Sequence, residues 1–219
     1  MRAILPESRR ILDPAERAAE ILFGVIMTMT FTGTLSVAEA GRDDVRVMFI
    51  GALGCNIAWG LIDGIIYLMA CRAERSEELR TFRAVRDARD PVQARAAIAA
   101  AMPPLLAELI REDEVEALRE RLAAVPEPPD HGRLTRRDWL GALAVGLLVV
   151  FTTFPLALPF LLLDHVGPAM RLSNAIALVM LFLAGVVYAR SIGRPALRVG
   201  LGMAALGVVL AVLTIALGG

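Results

Sequence analysis

Five long apolar runs, separated by polar segments, dominate the chain. They lie at about residues 21–38, 47–70, 139–163, 172–189 and 196–217. Each is near the roughly 20 residues that a helix needs to cross the hydrocarbon of a bilayer. The pattern therefore predicts an all-α integral membrane protein with five transmembrane helices.

A polar insert crowded with charges of both signs separates the second run from the third. A charged helix is predicted over residues 73–89. A second should begin at Asp90–Pro91, because Asp caps a helix and Pro suits its first turn. Pro103–Pro104 should open a third that reaches about Ala124. We therefore divide the chain into an N-terminal part with two membrane helices (1–71), a helical insert (72–137) and three further membrane helices (138–219).

Composition and charge support a membrane protein and orient it. The chain is 57% hydrophobic, which is high for a soluble domain. Twenty of its arginines lie ahead of the first run, in the insert or between the last two runs. The other three lie in the loops that the five spans would place on the opposite side of the membrane. Arginine-rich loops face the cytoplasm. This predicts a cytoplasmic N-terminus and insert and an outer C-terminus. The lack of lysine indicates a bacterial source and hence an inner-membrane location, and no cleavable signal peptide is predicted.

The second run contains a single charge, Asp63. Leaving an ionised Asp in hydrocarbon costs roughly 2.5–3.5 kcal/mol on insertion scales, so such residues usually face a bundle interior or a water-filled path. Asn56, Gly60 and Tyr67 share its helical face, at spacings of four, three and four residues. We predict that Asp63, Asn56 and Tyr67 line a path for an ion or proton. The alternative is an Asp that only helps helices to pack.

On the first helix, Met27 and its neighbour Thr30 are further candidates for the path. A hydroxyl, an amide and a carboxylate together suit a hard divalent cation, whereas a thioether favours softer metals. The alternative is structural, because Thr in membrane helices commonly bonds to the backbone and Met commonly fills gaps in a core.

In the insert, four glutamates recur every four residues: Glu108, Glu112, Glu116 and Glu120. Like charges at this spacing repel one another by a few tenths of a kcal/mol per pair, and a bound cation would remove that cost. The row is therefore a candidate metal site. Its alternative is a solvated helix face paired with nearby arginines.

Motifs for catalysis are absent from the sequence, which has no phosphate-binding Gly-rich loop, nucleophile elbow, HExxH or clustered Cys/His site. We therefore do not predict an enzyme, a permanently bound cofactor or a nucleic-acid partner. Glycines 141, 146, 200, 202 and 207 are predicted to be positions of close packing between membrane helices.

Five short segments, together with the order of the elements, resemble the vacuolar iron transporter family, which includes the nodulin-like transporters. They are residues 20–25 (EILFGV), 56–62 (NIAWGLI), 71–77 (CRAERSE), 154–160 (FPLALPF) and 189–198 (ARSIGRPALR). The resemblance covers nearly the whole chain. It implies five membrane helices, with a cytoplasmic metal-binding unit between the second and third.

The resemblance also implies a function: export of Fe²⁺ or Mn²⁺ from the cytosol in exchange for protons, by a homodimer with its path between protomers. It adds Glu74, Glu77 and Glu78 as further metal ligands in the insert. The substrate would be the metal ion, and the partners would be the lipid bilayer and a second copy.

At its key positions the chain departs from the family pattern. The family's Asp on the first helix falls on Met27, and its acid and Met on the second helix fall on Asn56 and Gly64. Asp63 lies one residue from the last of these, which turns its side chain by about 100° around the helix. Two hypotheses follow. The first is a divalent-metal transporter or a diverged relative, and the second is a membrane scaffold whose Arg/Glu insert docks a partner protein.

Overall fold

The computed structural model describes residues 14–33, 42–109, 111–126 and 134–218, and within these ranges it is helical with no strands. The all-α prediction is therefore confirmed for the described residues. The helices are α1 (Pro14–Gly33), α2 (Arg42–Arg86), α3 (Pro91–Ala101), α4 (Pro104–Leu109), α5 (Glu112–Ala123), α6 (Arg136–Phe151), α7 (Thr153–Leu162), α8 (Val166–Ser191) and α9 (Ala196–Gly218).

Four segments of the described chain are long and apolar enough to cross a membrane. They are Asp43–Arg86, Arg136–Leu162, Val166–Ser191 and Ala196–Leu213. They correspond to the second to fifth predicted spans. The first predicted span coincides only in part with α1, and its end lies outside the described residues. The first predicted span, and with it the count of five, therefore stays a prediction.

Two compact units make up the fold, and α2 contributes residues to both. One unit comprises the chain up to Tyr67 and from Arg136 onwards, and the other comprises Leu68–Thr135. We call them the membrane unit and the insert unit.

In the membrane unit, α8 packs against α1, α7 and α9. Val25 and Met29 of α1 meet Leu156 of α7 and Leu181 of α8 in its core. Elsewhere on the unit, large apolar side chains such as Ile57 of α2 face outwards. Soluble proteins seldom expose such continuous apolar surfaces, so these faces suit contact with lipid.

Glycines bring α2 and α6 into backbone contact. A Cβ added at Gly60 would lie 2.7 Å from the Gly146 carbonyl oxygen, and one at Gly141 would lie 2.5 Å from the Tyr67 ring. The predicted packing role of Gly141 and Gly146 is confirmed. Their lack of a side chain is what permits this approach.

The α8–α9 contact also uses glycines. A Cβ at Gly200 would meet the Phe182 ring at 2.8 Å, and one at Gly207 would meet Leu181 at 2.4 Å. Their predicted packing role is confirmed as well. The prediction for Gly202 is wrong within the described part of this chain, where a Cβ at that position would have nothing within 4 Å.

The insert unit has its own small core, formed by Val85 of α2, Ala94 and Ile98 of α3, and Val115 of α5. Asp90 caps α3 as predicted, and its carboxylate accepts a hydrogen bond from the Gln93 N–H at 2.8 Å. This bond satisfies one of the backbone donors left open at a helix start.

The predicted third helix of the insert is wrong, because two helices, α4 and α5, occupy its place. Arg111 has an extended backbone, and its N–H donates to the Glu114 carboxylate at 2.9 Å. Three acidic residues in the first turn of α5 further stabilise a new helix start there. Glu108 is therefore not on the helix that carries the other three glutamates of the predicted row.

Candidate functional site

Two acidic side chains meet inside the membrane unit. The carboxyl groups of Glu20 on α1 and Asp63 on α2 lie close enough to interact electrostatically, and both residues are partly buried. Two carboxylates at such a range repel each other, and a proton or a cation between them relieves that repulsion. Glu16, one turn earlier on α1, lies within electrostatic range of Glu20.

Deeper along the same face of α2, Asn56 is fully buried, with 0% of its surface exposed. Its amide nitrogen donates to the Thr153 hydroxyl oxygen at 2.6 Å and to the Thr28 hydroxyl oxygen at 3.1 Å. It also lies 3.5 Å from the Gly24 carbonyl oxygen. Thr28 in turn donates its hydroxyl proton to Gly24 at 2.9 Å. Asn56 thus joins α1, α2 and α7 through hydrogen bonds.

The amide oxygen of Asn56 is buried and has no hydrogen-bond partner among the described residues. Leaving a buried acceptor unsatisfied costs about 1–3 kcal/mol. Such a group in a native protein usually marks a bound water, an ion or a functional role. The amide is held by its nitrogen, which fixes the direction in which its oxygen points.

Besides α1 and α2, the site is bordered by the interruption between α6 and α7. The ring of Pro155 removes a backbone donor and clashes with the preceding turn, so the helix is interrupted between α6 and α7. Thr152 and Thr153 lie at the break and are both buried. A Cβ on Gly24 would lie 2.0 Å from the Thr152 hydroxyl oxygen, so only glycine lets α1 come this close.

The remaining predicted path residues are placed as follows. Tyr67 lies against Gly141 on α6. Met27 is partly buried and lies seven residues after Glu20, hence on the same face of α1. Thr30 is exposed, and its hydroxyl donates to the Ile26 carbonyl at 3.0 Å. The structural alternative therefore describes Thr30 better than a path does.

The glutamates of the insert unit are spread out and mostly exposed: Glu74, Glu77 and Glu78 on α2, Glu108 on α4, and Glu112, Glu116 and Glu120 on α5. Ion pairs join Glu77 to Arg80 at 3.5 Å and Glu112 to Arg95 at 3.2 Å. In the described part of the chain, no three His, Cys, Asp or Glu side chains lie close enough to share a metal ion.

The strongest of these pairs is Glu116 with Arg119, at 2.6 Å. The carboxylate accepts hydrogen bonds from the guanidinium and raises the pKa of Arg119 above its usual range. The pair fits the alternative of a salt-bridged helix face.

Sequence reasoning missed Glu20 and Thr153. Glu20 lies immediately before the first apolar run, and a charge at the end of a membrane helix is common and does not by itself indicate a site. Thr153 precedes Pro155 by two residues, and that proline was the available signal of a helix break.

Comparison with known protein families gives a match over the second part of the chain. A family model described as the VIT family matches residues 68–219, more than two thirds of the chain. No curated protein matches the sequence. Glu20, Asn56 and Asp63 all lie before the matched region.

Proposed function

Because this chain belongs to the VIT family, whose members are membrane transporters of metal ions, we propose that it carries Fe²⁺ or Mn²⁺ out of the cytosol in exchange for protons. The observation that carries the proposal is the polar line on α1 and α2. It contains two neighbouring carboxyl groups, those of Glu20 and Asp63, and an Asn56 amide oxygen that has no hydrogen-bond partner among the described residues.

The carboxyl pair is suited to exchange a proton for a cation. With one proton bound the pair would have a charge of about −1, and without a proton the charge would be about −2. A divalent cation bound between the two carboxylates takes the place of the proton, which leaves to water. The bound state is then neutral, and neutrality lowers the cost of holding charge within a membrane.

Asn56 is the next binding position along the proposed path. Its oxygen and the Thr153 hydroxyl are neutral ligands that replace part of the hydration shell of a hard cation. Met27 is placed on the adjoining face of α1, where a thioether favours the softer divalent metals. Tyr67, toward the other end of the line, is proposed to flank the entry near Asp63.

In the insert unit, we propose that exposed glutamates attract cations electrostatically. Glu74 and Glu78 lie one turn apart on one face of α2 and are exposed. Glu108 and Glu120 add negative charge on α4 and α5. Glu77, Glu112 and Glu116 take part in ion pairs with arginines, so their contribution is smaller.

The proposal includes a homodimer in a bacterial inner membrane, with the N-terminus and the insert unit in the cytoplasm and the C-terminus outside. The distribution of arginines supports this orientation. The outward apolar face of α2, which includes Ile57 and Leu61, offers a surface for a second copy.

Transport by reconstituted protein tests the proposal. Vesicles that contain the wild-type protein should take up Mn²⁺ or Fe²⁺, faster with an opposing proton gradient, and Asp63→Asn and Glu20→Gln should each abolish uptake. Asp43→Asn is the matched control, because Asp43 is an exposed Asp in the first turn of the same helix. If the wild type takes up no metal, or if Asp63→Asn transports as well as Asp43→Asn, the proposal is refuted.

A further inference from the structure

The insert-unit part of α2 separates its charges by sign. Arginines 72, 75, 80, 83 and 86 fall within an arc of about 140° at 100° per residue, and glutamates 74, 77 and 78 fall on the opposite side. We call the first set the arginine face. Asp87, just past the end of α2, is the acid nearest this face, and it pairs with Arg86 at 3.2 Å.

A shallow cleft of about 280 Å³ lies on the arginine face, lined by Arg72, Ser76, Leu79, Arg80 and Arg83. Ser76 is small, and its hydroxyl is turned away to donate to the Arg72 carbonyl at 2.8 Å. The charged groups of the cleft are therefore guanidinium groups.

The ion pair between Arg80 and Glu77, which adjoins the cleft, is weak. Arg80 lies 3.5 Å from Glu77, and both side chains are about three-quarters exposed (73% and 76%). Exposed pairs of this kind contribute little and exchange readily with other partners. An anion with better geometry can therefore recruit Arg80.

The arginine face begins where the apolar segment ends. Arg72 is the first charged residue after Asp63 and follows Ala70 by two positions, about 3 Å along the helix. The headgroup layer adds roughly 5–7 Å on each side of the hydrocarbon. Side chains on a helix lean toward its N-terminus, which on α2 is the direction of the apolar segment. Arg80, about 15 Å along the helix from Ala70, therefore leans back toward the headgroups.

From these observations we propose that the cleft on the arginine face binds the phosphate of an anionic phospholipid headgroup. Arginine binds phosphate through two parallel N–H donors, and three arginines line this cleft. Clusters of basic residues directly beside a membrane helix are typical of anionic-lipid recognition. The site is independent of the metal path, since none of its residues lies on that path.

Native mass spectrometry of the full-length protein in detergent tests the proposal with three probes: phosphatidylglycerol, phosphatidylcholine and inorganic phosphate. The wild type should bind phosphatidylglycerol in preference to the other two, and the binding should weaken with salt. The triple variant Arg72→Gln/Arg80→Gln/Arg83→Gln should bind phosphatidylglycerol on the order of 100-fold more weakly, about fivefold for each arginine.

The matched control is Arg95→Gln/Arg111→Gln/Arg121→Gln, which removes the same charge elsewhere in the insert unit. It should bind lipid as the wild type does. A triple lysine variant at positions 72, 80 and 83 keeps the charge without the forked donors, and its binding should lie between the wild type and the glutamine variant. Circular dichroism confirms that each variant is folded.

Three results would overturn the proposal. In the first, the two glutamine triples lose lipid binding equally, which would mean that only net charge matters. In the second, inorganic phosphate binds as tightly as the lipid, which would make the cleft a site for soluble anions. In the third, the arginine-face triple binds lipid normally but changes oligomeric state, which would assign the face to the glutamates of a second copy.

Discussion

Replacement of Asn56 by Asp tests whether a cation reaches the buried amide oxygen. The substitution keeps the shape of the side chain but exchanges the amide nitrogen for an oxygen. It removes the donors to Thr28 and Thr153 and places a carboxylate at a fully buried position. If a cation visits this position, the new carboxylate should bind it more strongly than the amide does, because carboxylates are harder and charged ligands.

The magnitude follows from two terms. An ionised Asp at the centre of a membrane helix costs roughly 2.5–3.5 kcal/mol on insertion scales. The two lost hydrogen bonds between helices add about 0.6 kcal/mol each. We therefore expect Asn56→Asp to be about 4 kcal/mol less stable than wild type without metal. A cation at 100 times its dissociation constant returns about 2.7 kcal/mol, more than half of this loss.

Thermal unfolding in detergent, with and without Mn²⁺, measures the effect. Asn174→Asp on α8 is the matched control, since it makes the same change on a membrane helix that lacks the Asn56 hydrogen bonds. Asn56→Leu should lose the metal response altogether. The reasoning is refuted if Mn²⁺ stabilises Asn56→Asp no more than Asn174→Asp, because a cation would then have no access to position 56.

Two further predictions concern the fold. Gly60→Ala places a Cβ 2.7 Å from the Gly146 carbonyl oxygen and should lower the free energy of unfolding by about 1–3 kcal/mol, measured by thermal unfolding. Gly54→Ala is the control and should leave the melting temperature unchanged, because a Cβ there has nothing within 4 Å among the described residues. Equal effects of the two substitutions would contradict the α2–α6 contact. Asp90→Ala removes the cap from the Gln93 N–H and should lower the free energy of unfolding by about 0.5–2 kcal/mol, measured by chemical unfolding of the full chain. Asp90→Asn should retain most of the stability, because Asn also caps a helix. An equal loss in both variants would mean that the charge of Asp90, and not its capping, stabilises the chain.

The membrane helices could be predicted from the sequence because a bilayer fixes both their length and their apolar composition. The face shared by Asn56 and Asp63 followed from helical periodicity alone. These are local properties of one helix. They need no knowledge of how helices are arranged in three dimensions.

What the sequence did not predict depends on contacts between distant segments. The Glu20–Asp63 pair exists because α1 and α2 bring these two side chains together, and no spacing within either helix indicates that. The break between α4 and α5 coincides with a hydrogen bond from the Arg111 N–H to Glu114 and with an acidic first turn of α5, neither of which the apolar pattern of the predicted helix indicates. In the sequence Gly202 looks the same as Gly200 and Gly207, a glycine in an apolar run, but it lies on the outer face of α9.

The arrangement of charge in the membrane unit bears on how a cation would cross it. Positions 27, 56 and 64 carry Met, Asn and Gly, so no acidic side chain lies there. The carboxyl groups of Glu20 and Asp63 lie near each other instead, and Asp63 is about 10 Å along α2 from Asn56. A neutral amide offsets the dehydration of a divalent cation far less than two carboxylates do. In the proposed path the pair is therefore the site of tightest binding and Asn56 the barrier. Substitutions at the pair should abolish uptake because they remove that binding, whereas substitutions at Asn56 should lower the rate of transport.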